Sequence, residues 1–83
     1  MRILYFAWLR ARLGRSEEEM SLPPGVRDVG GLLAHLQARG GRYAEALCDL
    51  SVVKAAVNHD YVGHDHPVRD GDEVAIFPPV TGG

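Results

Sequence analysis

The chain closes on Phe77-Pro78-Pro79-Val80-Thr81-Gly82-Gly83, and this segment holds the residues best suited to chemistry. Neither proline can extend a hydrogen-bonded ladder, and both favour a stiff polyproline path. A strand that reaches Phe77 must therefore stop there, and the residues beyond it must leave the body. At about 3.3 Å per residue, residues 78–83 would reach roughly 20 Å, far enough to enter another protein's active site. Gly82 and Gly83, lacking Cβ atoms, can thread a slot too narrow for a side chain. The group so delivered is the carboxylate of Gly83. With an ordinary pKa of about 3.5 it is ionised at neutral pH and is a poor electrophile. Acyl chemistry at Gly83 therefore needs the carboxylate to be activated, and Pro78, Pro79, Val80, Thr81 and Gly82 are the residues that would thread it into place.

Other candidates carry less. His64, Asp65 and His66, with Asp70 and Asp72 nearby, have metal-ligand types, but His and Asp are ordinary turn residues and no second cluster matches them, so no metal site is expected. Cys48, the single cysteine, permits no internal disulfide and no cysteine-based zinc cage, which fits a reducing compartment. Set between Leu47 and Leu50, it reads as a small buried hydrophobe, not a nucleophile. Gly30, Gly31, Gly40 and Gly41 form no phosphate-binding loop, so no cofactor or ATP site of the chain's own is expected. Lys54, the sole lysine, points to solvent from a strand. Arg10, Arg12 and Arg15 read as a solvated turn that would steer an acidic partner.

Composition bounds what remains. Eighty-three residues with 46% hydrophobic content make one small domain with no room for a deep cleft. Nine Lys and Arg against eleven Asp and Glu lack the basic excess that a nucleic-acid partner requires. The longest apolar run, Ile3 to Leu9, falls far short of the roughly 20 residues that span a bilayer. Arg10 and Arg12 follow it with no small-residue cleavage site, so neither a membrane anchor nor a secretory signal is expected, and the expected location is the cytoplasm.

The elements that must position the tail are set by pattern. Ile3 to Leu9, apolar at both parities, predicts a central strand, and Glu17 to Leu22 a second strand paired to it as a hairpin. Pro23, Pro24 and Gly25 then break the pattern. Asp28 is the expected N-cap of a helix whose Val29, Leu32, Leu33 and Leu36 share one face. Gly30 and Gly31 weaken its first turn, and Gly40 with Gly41 supplies its left-handed stop. Tyr43 to Leu47 predicts a further helical turn and Val52 to Val57 a third strand. Asn58, His59 and Asp60 turn the chain into a short strand at Tyr61 and Val62. Asp70, Gly71 and Asp72 turn it into the last strand, Glu73 to Phe77. The fold class is therefore α+β: residues 1–77 form a mixed sheet packed on one main helix, and residues 78–83 a flexible extended tail. If Val74 and Ile76 face the helix, Ala75 and Phe77 emerge on the opposite face at the root of the tail, making Phe77 the expected anchor for a partner.

The run Asp65-His66-Pro67 followed by Asp70-Gly71-Asp72-Glu73-Val74-Ala75-Ile76-Phe77-Pro78-Pro79-Val80-Thr81-Gly82-Gly83, with Tyr5-Phe6-Ala7 and Ala56-Val57-Asn58, resembles the small, sulfur-carrying subunits of molybdopterin synthase. The resemblance implies a ubiquitin-like β-grasp fold. It implies that an ATP-using, ubiquitin-activating-like adenylyltransferase converts the Gly83 carboxylate to an acyl-adenylate, and that a sulfur donor protein displaces AMP to leave a thiocarboxylate. The large catalytic subunit would then receive the tail, with two copies of each subunit, and the sulfur would attack cyclic pyranopterin monophosphate. The chain itself would have no autonomous activity. Three other readings stay open: a carrier for thiamin synthesis or tRNA thiolation, a ubiquitin-like modifier of lysines, and an interaction domain without chemistry. The Phe-Pro-Pro exit argues against the first.

Overall fold

In the computed structural model, which describes residues 1–78, five strands make one mixed sheet. These are β1 (Arg2–Tyr5), β2 (Glu17–Glu19), β3 (Lys54–Val57), β4 (Asp60–Val62) and β5 (Glu73–Phe77), in the spatial order β2-β1-β5-β3-β4. Three helices, α1 (Ala7–Leu13), α2 (Val29–Gln37) and α3 (Gly41–Ala46), and a 3-10 turn (Leu50–Val52) supply the second layer. The last strand has the predicted bounds and lies at the centre, parallel to β1 and antiparallel to β3. Val74 and Ile76 are buried in the core with Ile3, Tyr5, Leu32, Leu36 and Val57, as the two-residue period requires. The expected tail residues Pro79, Val80, Thr81, Gly82 and Gly83 lie outside the described residues, and Pro78, the residue after β5, is buried.

The main helix has the expected start. The Asp28 carboxylate accepts the Gly31 N–H at 2.8 Å, and Val29, Leu32, Leu33 and Leu36 are all buried. Gly30 is not merely a weak helix former. Its N–H donates to the His64 carbonyl at 2.8 Å, and a Cβ there would meet that same oxygen at 3.3 Å. The 63–67 loop thus closes over the start of α2 because a glycine lets it approach. At the other end α2 stops at Gln37, and Gly40, at φ 76°, redirects the chain into α3.

Three expectations are corrected. The run Ile3 to Leu9 is not one strand: β1 ends at Tyr5, Phe6 is extended, and Ala7 takes the left-handed φ of 54°. Leu9 and Leu13, four residues apart, then bury one face of α1, which Gly14 ends at φ 75° with its N–H on the Arg10 carbonyl. Arg10 and Arg12 are therefore helical, not turn residues, and β1 and β2 pair antiparallel across a helix in place of a tight hairpin. The third strand begins only at Lys54, because the Asp49 carboxylate caps the 3-10 turn through the Ser51 N–H. Cys48 is exposed; it comes after α3 at the point where Ala46 and Leu47 take the inward positions.

Candidate functional site

Because β1 runs parallel to β5, the two strands end side by side. Tyr5 is in register with Ile76, and the Phe6 N–H donates to the Ile76 carbonyl at 3.2 Å. Phe6, held in extended backbone before the strained Ala7, stacks on Phe77 with ring centroids 5.0 Å apart. From the other side, β4 places Tyr61 in register with Ala56, and its ring lies 5.7 Å from that of Phe77. Phe77 is thus on the open face, as the alternation requires, and is half-buried between two more exposed rings: Phe6 at 42% and Tyr61 at 82%.

Below this aromatic triad the open face is built from two alanines and a leucine. Ala75 pairs with Ala56 on one side and Leu4 on the other. Together they floor a shallow depression of about 240 Å³ walled by Phe6, Tyr61 and Phe77, with His59 and Glu73 on its rim. His59 Nε2 lies 3.2 Å from Glu73 Oε2. Lys54 stands opposite Phe77 in the register, exposed beside the root of the tail. Among the described residues, no nucleophile with an adjacent base lines this face. The face is apolar at the tail root and polar at the far rim.

The turn that delivers Tyr61 is fixed by Asn58 and His59, both at positive φ (50° and 75°). The Asn58 side chain accepts the Glu73 N–H at 3.0 Å and donates to Asp72 at 3.1 Å. The Arg69 N–H and this Asn58 amide hold the Asp72 carboxyl below its ordinary pKa. The β3–β4 turn is thereby tied to the start of β5, so the walls of the depression hold a fixed relation.

A second cluster lies on the helical side. Glu18 points inward from β2 with its side chain 9% exposed, and its carboxylate accepts from the Tyr5 hydroxyl at 2.7 Å, the Tyr43 hydroxyl at 2.9 Å and Arg39 at 2.7 Å. Burial alone would raise its pKa, but these three donors and the Arg39 charge bring it below the ordinary value. Burial and the neighbouring Glu18 carboxylate push the Tyr5 hydroxyl far up. Arg39 also covers the Tyr43 ring, 5.0 Å from its centroid. This cluster fastens α3 and the end of α2 to β1 and β2.

Of the candidates singled out in the sequence, the structure brings together Phe77 and Ala75, buries Pro78 where the tail is expected to leave the body, and leaves Pro79, Val80, Thr81, Gly82 and Gly83 beyond the described residues. His64 is structural: its Nε2 lies 2.6 Å from the Val53 carbonyl. Among the described residues no three His, Cys, Asp or Glu side chains are grouped to hold a metal ion, and no helix is long and apolar enough to cross a membrane. Sequence reasoning missed Phe6 and Tyr61. For Tyr61 the local register contained a signal, since a two-residue turn at Asn58-His59 sets it across from Ala56 on β3, one strand away from β5.

The chain matches the model of the ThiS family over residues 3–83. It is 43% identical over 83 residues to the molybdopterin synthase sulfur carrier subunit of Escherichia coli K12, covering 100% of this chain and 99% of that one. Its fold resembles a Pyrococcus furiosus protein described as molybdopterin converting factor subunit 1 (TM-score 0.73, 35% identity, 95% of each chain covered). It also resembles a chain in the Helicobacter pylori complex of subunits 1 and 2 of molybdopterin-converting factor (TM-score 0.62, 25% identity, 99% and 96% covered).

Proposed function

Since the chain belongs to the ThiS family, we propose that it is the sulfur carrier subunit of a molybdopterin synthase, with Gly83 as the residue that bears the sulfur. The observation that carries this reading is the end-to-end match with the E. coli carrier, 43% identical over 83 residues. The geometry supports it: β5 ends at Phe77 at one end of the sheet, beside an exposed aromatic surface, so the tail starts where a partner can grip the body.

In this reading the Gly83 carboxylate attacks the α-phosphate of ATP on a ubiquitin-activating-like enzyme, and pyrophosphate leaves. The terminal sulfur of a donor-protein persulfide attacks the acyl carbon and AMP leaves; two thiols then reduce the resulting acyl disulfide, becoming a disulfide themselves, so that the donor thiol departs and the thiocarboxylate remains on Gly83. Pro78 and Pro79 hold the exit extended while Val80, Thr81 and Gly82 run through a narrow channel into the large subunit. There the sulfur attacks cyclic pyranopterin monophosphate, water hydrolyses the resulting thioester to return Gly83 as a carboxylate, and two such transfers build the dithiolene that later holds molybdenum or tungsten. Phe77, with Phe6, Tyr61 and the floor at Ala75, anchors the large subunit. The chain is consumed and recharged in the cytoplasm in an assembly of two large and two small subunits, while the acid, base and pocket groups belong to the partner. The structural complex of subunits 1 and 2 from H. pylori supports the partnership.

The test is the mass of the Asp70 to Gly83 fragment released by cleavage after Arg69, taken from protein incubated with the cognate activating enzyme, ATP and a sulfur donor. The fragment contains no Met or Cys, so a sulfur-for-oxygen gain cannot be confused with oxidation of those side chains. Replacement of one oxygen by sulfur is the expected result. An unchanged fragment would overturn the reading, and an adduct with a target lysine that survives reduction would replace it with protein modification.

A further inference from the structure

Helix α1 carries a feature that the tail chemistry does not use. It starts at Ala7, directly after the Phe6 that bonds to β5 at the root of the tail. Leu9 and Leu13 are buried, while Trp8, Ala11 and Arg12, at helical i, i+3, i+4 spacing, stand in solvent. Trp8 is 46% exposed. The Arg12 guanidinium lies over it, 5.5 Å from the ring centroid, and forms no ion pair among the described residues. The indole holds the guanidinium through this cation–π contact. Ala11, between them on the helix, is too small to screen either group.

An exposed, ring-stacked arginine is a prepared half of an ion pair. Its fork of donors matches a carboxylate, and because it is already held, less conformational freedom is lost on binding. Tryptophan and arginine are also the residue types that most often dominate interfaces. A run of phosphates would instead need several cations in a row. The plate offers one, on a chain of net charge −2.

We propose that Trp8 and Arg12 form a second anchor beside the aromatic triad, docking a carboxylate set in apolar surface on the large synthase subunit. This rests on the function proposed above. The plate adjoins the root of the tail, so a partner that swallows residues 79–83 passes over it. The triad supplies apolar adhesion, and the plate fixes orientation through a charge the partner must match.

The chain holds one tryptophan, so protein grown with 5-fluorotryptophan carries a single fluorine reporter at the plate. Titration with the cognate large subunit should shift that resonance as the complex forms. W8A should weaken the complex about thirtyfold, and R12Q about fivefold with the difference fading at high salt. Both side chains are exposed, so thermal midpoints should stay near that of the parent; if W8A fails to fold, R12Q and the fluorine shift of the parent decide. A complex that forms with the resonance unmoved, or that binds W8A and R12Q as tightly as the parent, would overturn the second anchor. It would leave the sulfur-carrier reading standing. Tighter binding to single-stranded DNA than to the large subunit would likewise overturn it. If the parent forms no complex while Gly83 is still thiocarboxylated, the chosen acceptor fails together with this anchor, and the carrier chemistry remains.

Discussion

Replacing Glu18 by alanine should destabilise the fold far more than an ordinary change on a three-residue strand. The Tyr5 hydroxyl is buried and has Glu18 as its acceptor at 2.7 Å. Left without a partner, such a donor costs about 1–3 kcal/mol. Tyr43 and Arg39 also lose their bonds to this carboxylate, but both reach water, so each adds only about 0.5 kcal/mol. The sum is about 2–4 kcal/mol, a large share of the roughly 5–15 kcal/mol typical of a domain. Urea unfolding at neutral pH, with the slope unchanged, measures it. Tyr5→Phe in the Glu18→Ala background should recover part of the loss, because it removes the stranded hydroxyl; the two changes must then be non-additive. Acid gives an independent check. The folded pKa of Glu18 lies below its ordinary value, so its contribution is complete above the unfolded value of about 4.3 and drains away as pH falls through the folded value. The alanine variant should lack that part of the acid sensitivity. A loss below about 1 kcal/mol, or strict additivity with Tyr5→Phe, would refute the reasoning.

Three further outcomes are expected. Phe77→Ala should weaken the complex with the large subunit at least tenfold by calorimetry, because it removes the centre of the triad, while lowering fold stability by no more than about 2 kcal/mol for a half-buried ring. Ala7→Val should cost about 1–3 kcal/mol in urea unfolding, since a β-branched residue is forced to the φ of 54° at the β1–α1 junction, whereas Ala7→Gly should be neutral or stabilising. Asn58→Ala should cost about 1–2 kcal/mol by thermal unfolding through loss of the bonds to Glu73 and Asp72, and Asn58→Gly should restore only the backbone part.

Where one element dominated its own stretch of sequence, the fold was legible. The β5 bounds are marked by Gly71 before it and Pro78 after it, and α2 by Asp28 and four apolar positions on one face. The early region was not legible. Ile3 to Leu9 is apolar at every position, so period 2 cannot be told from period 3.6 there. The switch falls at Ala7, whose left-handed backbone has no glycine to announce it. The Leu9 and Leu13 pair with Gly14 was the helix signal, overridden by the aromatic and β-branched residues before it. Glu18 was hidden for a different reason. In Glu17-Glu18-Glu19 three identical residues alternate faces, and only the pairing of β2 with β1 decides which one turns inward. At the site, the place of Phe77 on the open face could be read from the two-residue alternation of β5. Phe6 could not, because it reaches Phe77 only through the long-range pairing of β1 with β5, and Tyr61 could be followed only as far as its partner on β3.

The central place of β5 also determines how the molecule bears load. The strand is hydrogen-bonded along its length, to β1 on one side and β3 on the other, and the tail continues from its end. A pull applied along the β5 axis meets the bonds of both ladders together in shear, and none is peeled singly. A partner that draws on the end of β5 would load both ladders before it unravels the body. The body can thus serve as a rigid handle through repeated cycles of loading and discharge.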